Sequence, residues 1–389
     1  MKATGIVIEH NPFTNGHKMH IEKTKELTKS DLIVAVMSSS FVQRGEPSII
    51  SKENRVKLAL ESGIDVVVEL PFLYSVESSD YFCKYALEIL NALKVSSICF
   101  GSETGDTEMF LEKYNKTNIV QPHLDFLVSD FMDEGMSYPK AMSTALSIID
   151  AYKLETPNDI LGLGYLKAIK NNNYPIDIYT YKRVNNYNDE NITPDSISAS
   201  GVRKLIKDNE DIGMYTPYSK EIREMEKHYI DDYYNLLKYK LMTSSPEELQ
   251  TIHLVDEGIE NLFKKNILVS NNMKEFIDMC ISKRYTFARI KRTIIHILAN
   301  TKKDFAKKFL NTNISYIRLL GVSNKGQEYL NSIRKEIEVP LLSKFRGKNF
   351  ALLQFEKQVN YLYNATKSLS YAKDEYEKEH YIYPIRKSE

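Results

Sequence analysis

The sequence predicts an α/β fold: a doubly wound parallel sheet of five strands, followed by a mainly α-helical region. Three observations predict it. Through the first 200 or so residues, short apolar runs rich in β-branched residues alternate with stretches of helical spacing. Strands joined by helices of this length imply parallel pairing with right-handed crossovers. From residue 216 onward the strand signals fade, and long helical periodicities rich in Lys and Tyr take over.

The elements follow in order. Thr4–Glu9 is an apolar strand, and Gly16–Thr28 has helical spacing with Met19, Ile21 and Leu27 apolar. DLIVAVM at 31–37 is a continuous run of the kind buried on both faces of a sheet. Ser51 is suited to cap a helix that runs through Leu60, and Gly63 stops it. DVVVEL at 65–70 is a third strand, residues 77–93 a helix and SSICF at 96–100 a fourth strand. Residues 106–170 read as mainly helical, IDIYTYKRV at 176–184 as the fifth strand and Ser198–Lys207 as the start of another helix. The boundary falls near Gly213–Pro217, dividing 1–215 from a helical, basic 216–389. The polar tail 371–389 reads as an exposed helix end or a partly disordered segment.

Composition narrows the function classes. The apolar and charged fractions, 42% and 27%, are ordinary for a globular protein. Cys83, Cys99 and Cys280 form no close pair, so neither structural zinc nor a disulfide framework is expected. That usage suits a cytoplasmic location. No apolar stretch approaches a membrane span, and Glu9 interrupts the only apolar run near the start. The net charge of zero hides a split: 22 Lys and Arg face 30 Asp and Glu in residues 1–215, and 30 face 22 in the remainder. The two parts therefore meet different partners, or simply offset one another within one body.

The stretch GIVIEHNPFTNGHKMHI at 5–21 concentrates three of the eight histidines where a strand gives way to a helix. Ligands of doubly wound sheets bind beyond the carboxyl ends of the strands, at the switch point beside the first. Gly16 lets a ligand approach the backbone, and residues 16–19 would offer free N–H groups with the positive end of the helix dipole. Thr14 and His17 flank the turn and can donate to phosphate. Two other readings stand beside this one. His17 and His20 at i,i+3 with Glu9 or His10 would make a metal site, although the i,i+4 spacing and intervening Glu of metalloproteases are missing. The third is a helix with surface histidines. No metal site is expected.

Thr14-Asn15-Gly16-His17 matches the T/H-x-G-H signature of the nucleotidyltransferase superfamily. The wider set GIVIEHNPFTNGHKMH, FVQRGEP (41–47), DVVVELPF (65–72), CFGSE (99–103), PNDILGLGYLKAI (157–169) and RVNNYND (183–189) resembles the bacterial tRNA(Met) cytidine acetate ligase family. KRYTFARIKRTIIH and YIRLLGVSNKG extend the likeness over nearly the whole chain.

The resemblance implies a nucleotidyltransferase-like, Rossmann-type catalytic domain at 1–215 and a tRNA-binding domain at 216–389. It implies that ATP, with Mg2+, activates acetate as acetyl-adenylate and releases pyrophosphate. The acetyl group would then pass to N4 of the wobble cytidine of elongator tRNA(Met). Val7, Ile8, Glu9, His10, Asn11, Pro12, Phe13, Thr14, Asn15, Gly16, His17, Lys18, Met19 and His20 would form the main ATP segment, with Thr14 and His17 catalytic. Gly101, Asn158, Arg183 and Val184 would complete the site. Thr14 stands where the family usually has His, His10 where it has Tyr, and Ser39 where it has Gly. SISASGVRKLI at 196–206 resembles the superfamily's second phosphate motif, placing Ser198, Ser200 and Arg203 on the triphosphate. A plain Ser N-cap with a surface Arg is the other reading. Arg44 would clamp phosphate or tRNA, or make a loop salt bridge.

Lys283–Lys308 holds nine Lys and Arg against the single acid Asp304. On a helix, Phe287, Ile290, Ile294 and Ile297 share one face, and Tyr285, Arg289, Arg292 and His296 another. A cationic face with an aromatic suits an RNA backbone, so Lys283, Arg284, Tyr285, Arg289, Arg292 and His296 are expected to bind tRNA. Lys344, Arg346 and Lys348 are further candidates; a solvated helix face is the plain alternative. Two rival functions remain: a small-molecule adenylyltransferase, which leaves the basic part unexplained, and a non-catalytic ATP-regulated RNA-binding protein, which leaves Thr14 and His17 without a task.

Overall fold

The five apolar runs of the first part become neighbouring strands of one sheet. The computed structural model describes residues 1–136, 141, 144–145, 148, 156–183, 197–282, 284–345 and 350–387, without the side chains of 117–121 and 380. The strands are β1 (Ala3–Ile8), β2 (Leu32–Ser38), β3 (Phe41–Val42), β4 (Glu46–Pro47), β5 (Val66–Leu70), β6 (Ser97–Ser102), β7 (Asp177–Lys182), β8 (Ile317–Val322), β9 (Leu341–Leu342) and β10 (Ile385–Arg386). The main sheet runs β10-β8-β5-β2-β1-β6-β7, with β9 on β8, while β3 and β4 form a separate hairpin. The pairs among β5, β2, β1, β6 and β7 are parallel.

Pleating explains the burial. Every residue of β2 and β5 is buried. Leu32, Val34, Val36, Val66 and Val68 share a core with Phe82–Leu90 of helix Ser79–Ala92 and with Tyr165 and Leu166. Their alternates Ile33, Ala35, Met37 and Val67 pack against Ile21 and against Val56–Leu60 of helix Lys52–Glu61. Strands covered by helices on both faces read as unbroken apolar runs, which is why they were legible. A third core joins the helices between Tyr234 and Leu298 and takes in Phe41 and Phe72 from beside the sheet. Among the described residues no helix is long and apolar enough to cross a membrane.

Two expectations are corrected. The sheet has eight strands rather than five, because β8, β9 and β10 come from beyond residue 216. β8 lies antiparallel to β5, so the sheet is mixed. The tail is more than an exposed helix end: over its described length it forms helix Leu369–Tyr381 and then β10, and although many of its residues are exposed, Glu375, Glu379 and Tyr383 are buried. The reason is electrostatic. Lys52 pairs with Glu69 and, at 2.8 Å, with Glu379. Arg318 of β8 pairs with Glu69 at 3.2 Å and with Glu379. All four are buried. Two cations and two anions thus close on each other between helix Lys52–Glu61, β5, β8 and the tail helix. Polar residues in the tail face inward here, which hydropathy alone misreads as a solvated end.

Burial by itself would raise the Glu379 carboxyl, but Arg318 and then Lys52 hold it well below the usual carboxylate range. Its contribution to stability is present above that range and is lost as the pH falls through the depressed value. Arg318→Met leaves two buried carboxylates facing one lysine and is expected to cost about 3–5 kcal/mol. Adding Glu379→Gln to Arg318→Met should recover part of that loss. Urea melts check this; an unshifted Arg318→Met midpoint would show that the network holds nothing.

Candidate active site

The site sits where β1 and β2 end. Arg55, wholly buried in helix Lys52–Glu61, donates through Nη1 to the carbonyls of Glu9 and Ser38, each at 3.0 Å, and through Nη2 to Ser39. One guanidinium therefore satisfies three strand-end carbonyls at the rim. The loop beyond β1 is pinned twice more. Asn11 Oδ1 accepts from the Ile49 amide at 2.7 Å, and Arg203 Nη1 donates to the Asn11 carbonyl at 2.7 Å. His10 sits in the left-handed region at φ 44°. Its ring is buried, lies 4.8 Å from both the Phe13 and His17 rings, and has no partner at either nitrogen among the described residues. Val7 and Glu9 are half-buried, whereas Ile8, Pro12, Phe13 and Thr14 are buried.

Helix Asn15–Thr28 starts at the rim with Thr14 as its N-cap. His17 Nδ1 lies 3.0 Å from the Thr14 amide, which can only donate. The ring proton of neutral His17 is thereby assigned to Nε2, which becomes a donor. Burial, then Arg183 and His20, lower His17 to about 3. His20 Nδ1 meets the Tyr181 hydroxyl at 3.0 Å, and burial with Arg183 lowers it to about 4. Burial, then His17, His20 and Arg55, hold His10 well below the usual range as well. All three imidazoles are neutral at pH 7.

The expectation of four free N–H groups at 16–19 is corrected. The Asn15 amide donates to the Tyr215 carbonyl at 2.9 Å, and His17 and Lys18 donate to the Thr14 carbonyl. Of this turn, the Gly16 N–H alone is without a partner among the described residues. Asn15 Nδ2 also holds the Met214 carbonyl at 2.8 Å, so residues 214–215 lie across the helix start. Lys18 is exposed, and Met19 is half-buried.

The other predicted residues gather on the same rim, with altered local roles. At Gly101 an added Cβ would approach Tyr181 Cζ to 2.9 Å and Arg183 Cγ to 3.0 Å, so this glycine makes room for those side chains. Arg183 follows β7, its amide bonded to the Ser102 carbonyl at 2.9 Å. Asn158 Nδ2 donates to Glu103 Oε1 at 2.7 Å, and Glu103 Oε2 accepts from the Asp159 amide. Glu103 and Asp159 were missed, although both lie inside quoted motifs. Ser198 caps helix Ala199–Lys207, accepting from the Gly201 amide, so the plain N-cap reading describes its side chain. Arg203 is not a surface arginine: besides Asn11 it holds Glu46 Oε2 at 3.0 Å and Ser200 Oγ at 3.1 Å. Val184 lies outside the described residues.

The basic helix Phe287–Leu298 differs from its expected pattern. His296 is fully buried, its Nε2 on the Val76 carbonyl at 2.8 Å and its Nδ1 on Thr301 at 3.0 Å, so it does not face RNA. Tyr285 is buried, with its hydroxyl donating to the Glu257 carbonyl. Phe287, placed on the packing face, is half exposed instead, while Lys291 is buried and pairs with Glu46. The helix buries both faces because the β3–β4 hairpin packs against it: Gly45, at φ +73°, leaves no room for a Cβ against the Lys291–Arg292 backbone. Arg284 is exposed; Arg289, 3.3 Å from Glu257, and Arg292 are half-buried. Arg44 is half-buried on the hairpin, and Lys344 is exposed. Lys283, Arg346 and Lys348 lie outside the described residues. Glu77, His253 and His296 offer ligand atoms within 4.8 Å of one another, but His253 already pairs with Glu77 and both nitrogens of His296 are engaged.

A parallel strand-end rim that meets a helix N-terminus bearing a histidine is the arrangement expected of a nucleotidyl transferase. The sequence model of the HIGH Nucleotidyl Transferase family matches residues 1–381. The tRNA(Met) cytidine acetate ligase of Geobacillus sp. (strain WCH70) is 38% identical over 382 residues, covering 94% of each chain. That of Bacillus subtilis (strain 168) is 37% identical, covering 94% of this chain and 92% of its own. Two crystal structures of Thermotoga maritima TmcAL, one apo and one bound with alpha-thio ATP, superpose with TM-scores of 0.89 and 0.86. Each is 27% identical and covers 99% of both chains. Within the nucleotidyl transferases, this chain belongs to the tRNA(Met) cytidine acetate ligase family.

Nitrogen-15 NMR of the imidazoles provides a direct check. His17 is expected to show the neutral Nε2–H pattern throughout pH 5 to 8; an imidazolium signal at pH 6 would contradict the assignment.

Proposed function

We propose that the protein activates acetate with ATP, forming acetyl-adenylate and pyrophosphate, and transfers the acetyl group to N4 of the wobble cytidine of elongator tRNA(Met). The observation that carries this reading is His17, fixed by Thr14 as a neutral Nε2–H donor at the start of helix Asn15–Thr28. A donor there, with the Gly16 N–H and the helix dipole, stabilises the charge that develops on the α-phosphate as acetate attacks and pyrophosphate leaves. Arg183 and Val184 would hold the nucleotide at the end of β7, and Asn158, Ser200 and Arg203 would frame it. Mg2+ would enter on the triphosphate rather than in a protein cage, because Glu46, Glu77, Glu103 and Asp159 have both carboxylate oxygens engaged.

The division of labour follows the charge split. Residues 1–215 would carry the chemistry, and the basic 216–389 would hold tRNA through Arg284, Arg289 and Arg292, with Lys283 and Arg44. A tRNA substrate implies a cytoplasmic location. The names of the relatives and the T. maritima complex with an ATP analogue support this reading over a small-molecule adenylyltransferase or a regulated RNA-binding protein.

The decisive experiment incubates the protein with ATP, labelled acetate and tRNA(Met) carrying unmodified wobble cytidine, then digests the RNA. Acetylcytidine is expected; no label in RNA and no acetate-dependent exchange of pyrophosphate into ATP would sink the reading. His17→Ala should lose adenylate formation by about 10²–10³-fold while binding tRNA as the wild type does. Arg284→Glu with Arg289→Glu should do the opposite, weakening tRNA binding and its salt dependence without slowing pyrophosphate exchange.

A further inference from the structure

Acylation of an aromatic amine leaves a proton to be removed, so a base is needed near the adenylate. Six carboxylates stand around the rim, and Glu356 is taken by Ser39 Oγ and the Phe72 amide. Glu46 is taken by Lys291 and Arg203. Glu77 is taken by His253 and the Ser78 amide. Glu103 accepts from Asn158 and from the Asp159 amide. Asp159 accepts from Thr104 and Thr156. Glu9 alone among them keeps an oxygen free. Its Oε1 accepts from the Gln43 amide at 2.7 Å, while Oε2 has no partner among the described residues and is not sealed from solvent.

Its position suits the task. Glu9 directly follows β1 and is five residues before Thr14, so it shares the loop that carries the nucleotide donors. Through Gln43 it is bonded to the hairpin whose Gly45 lies on the backbone of the basic helix. It therefore stands at the seam between the nucleotide loop and the RNA side. One oxygen is fixed by a backbone amide, which orients the other.

Resting on the ligase reading above, we propose that Glu9 is the general base of acetyl transfer, accepting the N4 proton of the target cytidine on Oε2. The N4 lone pair forms the C–N bond to the acetyl carbon. The collapsing tetrahedral intermediate expels AMP with the electron pair of the broken C–O bond. The N4 proton passes to Glu9 Oε2 and from there to solvent. Burial raises the Glu9 carboxyl above its ordinary value, against the Gln43 amide and the guanidinium groups of Arg44, Arg55 and Arg203. Those arginines face it from the hairpin and from helices Lys52–Glu61 and Ala199–Lys207; Tyr165 faces it from helix Pro157–Asn171. A carboxylate raised in this way is a stronger base than an exposed one.

The test isolates the transfer step. Enzyme loaded with acetyl-adenylate is mixed with tRNA(Met) bearing unmodified wobble cytidine, and the single-turnover rate is taken per loaded enzyme between pH 5 and 8.5. Chemically prepared acetyl-adenylate replaces ATP and acetate for any variant that loads poorly. In the wild type the rate should rise with pH through one carboxyl titration. Glu9→Gln, which keeps an acceptor for the Gln43 amide, should be about 10²–10⁴-fold slower and lack that rise. Glu9→Asp should keep the rise at a reduced rate. A Glu9→Gln rate within threefold of wild type, or a profile that still rises as the wild type does, overturns the assignment. A wild type that acetylates no tRNA from supplied acetyl-adenylate would instead sink the ligase reading itself.

Discussion

The buried quartet of Lys52, Glu69, Arg318 and Glu379 is the interaction on which the rest depends. Each member comes from a different element, and two come from the last quarter of the chain. Removing any one leaves a charge uncompensated in the interior, which is strongly destabilising. The network therefore makes the sheet a joint product of both ends of the sequence. Glu356, from helix Ala351–Asn364, extends this logic to the rim: it accepts from Ser39 Oγ at 2.7 Å and from the Phe72 amide. The strand ends of the candidate site are thus tied to a helix encoded some three hundred residues later.

The loop of the site is pinned for a related reason. Strand-end carbonyls and a loop between two cores would be poorly solvated, and buried cations satisfy them. Arg55 covers Glu9, Ser38 and Ser39, while Arg203 covers Asn11. These contacts place positive charge under the loop while leaving the imidazoles neutral. A neutral donor is well matched to phosphate transfer, since it keeps its proton through the reaction and needs no protonation step of its own.

The central strands were legible because burial on both faces writes itself as an apolar run, as in LIVAVM and DVVVEL. β8 reads IRLLGV, an equally apolar run, but it was masked by the helical periodicities around it and by Arg318 at its start. Its charge is paired at long range, which no window of sequence displays. The loop residues were legible through their motif; their partners were not. Glu103 and Glu46 act by accepting from residues far away in sequence, and such a role leaves no periodic trace. The basic helix misled in the opposite sense. A cationic stripe looks solvated, yet Lys291 turns inward to Glu46 of the hairpin and His296 to the Val76 carbonyl.

Gly45 gives that contact a further meaning. At that point the hairpin backbone lies directly on that of Lys291 and Arg292, with no side chain between them. If RNA rests on the basic helix as proposed, this contact would set its height above the nucleotide loop. Reach must then come from the RNA: only a base able to swing out of its own stack can span the gap. Selection among nucleotides would in that case begin with how readily a loop lets go of its base, before any edge is read.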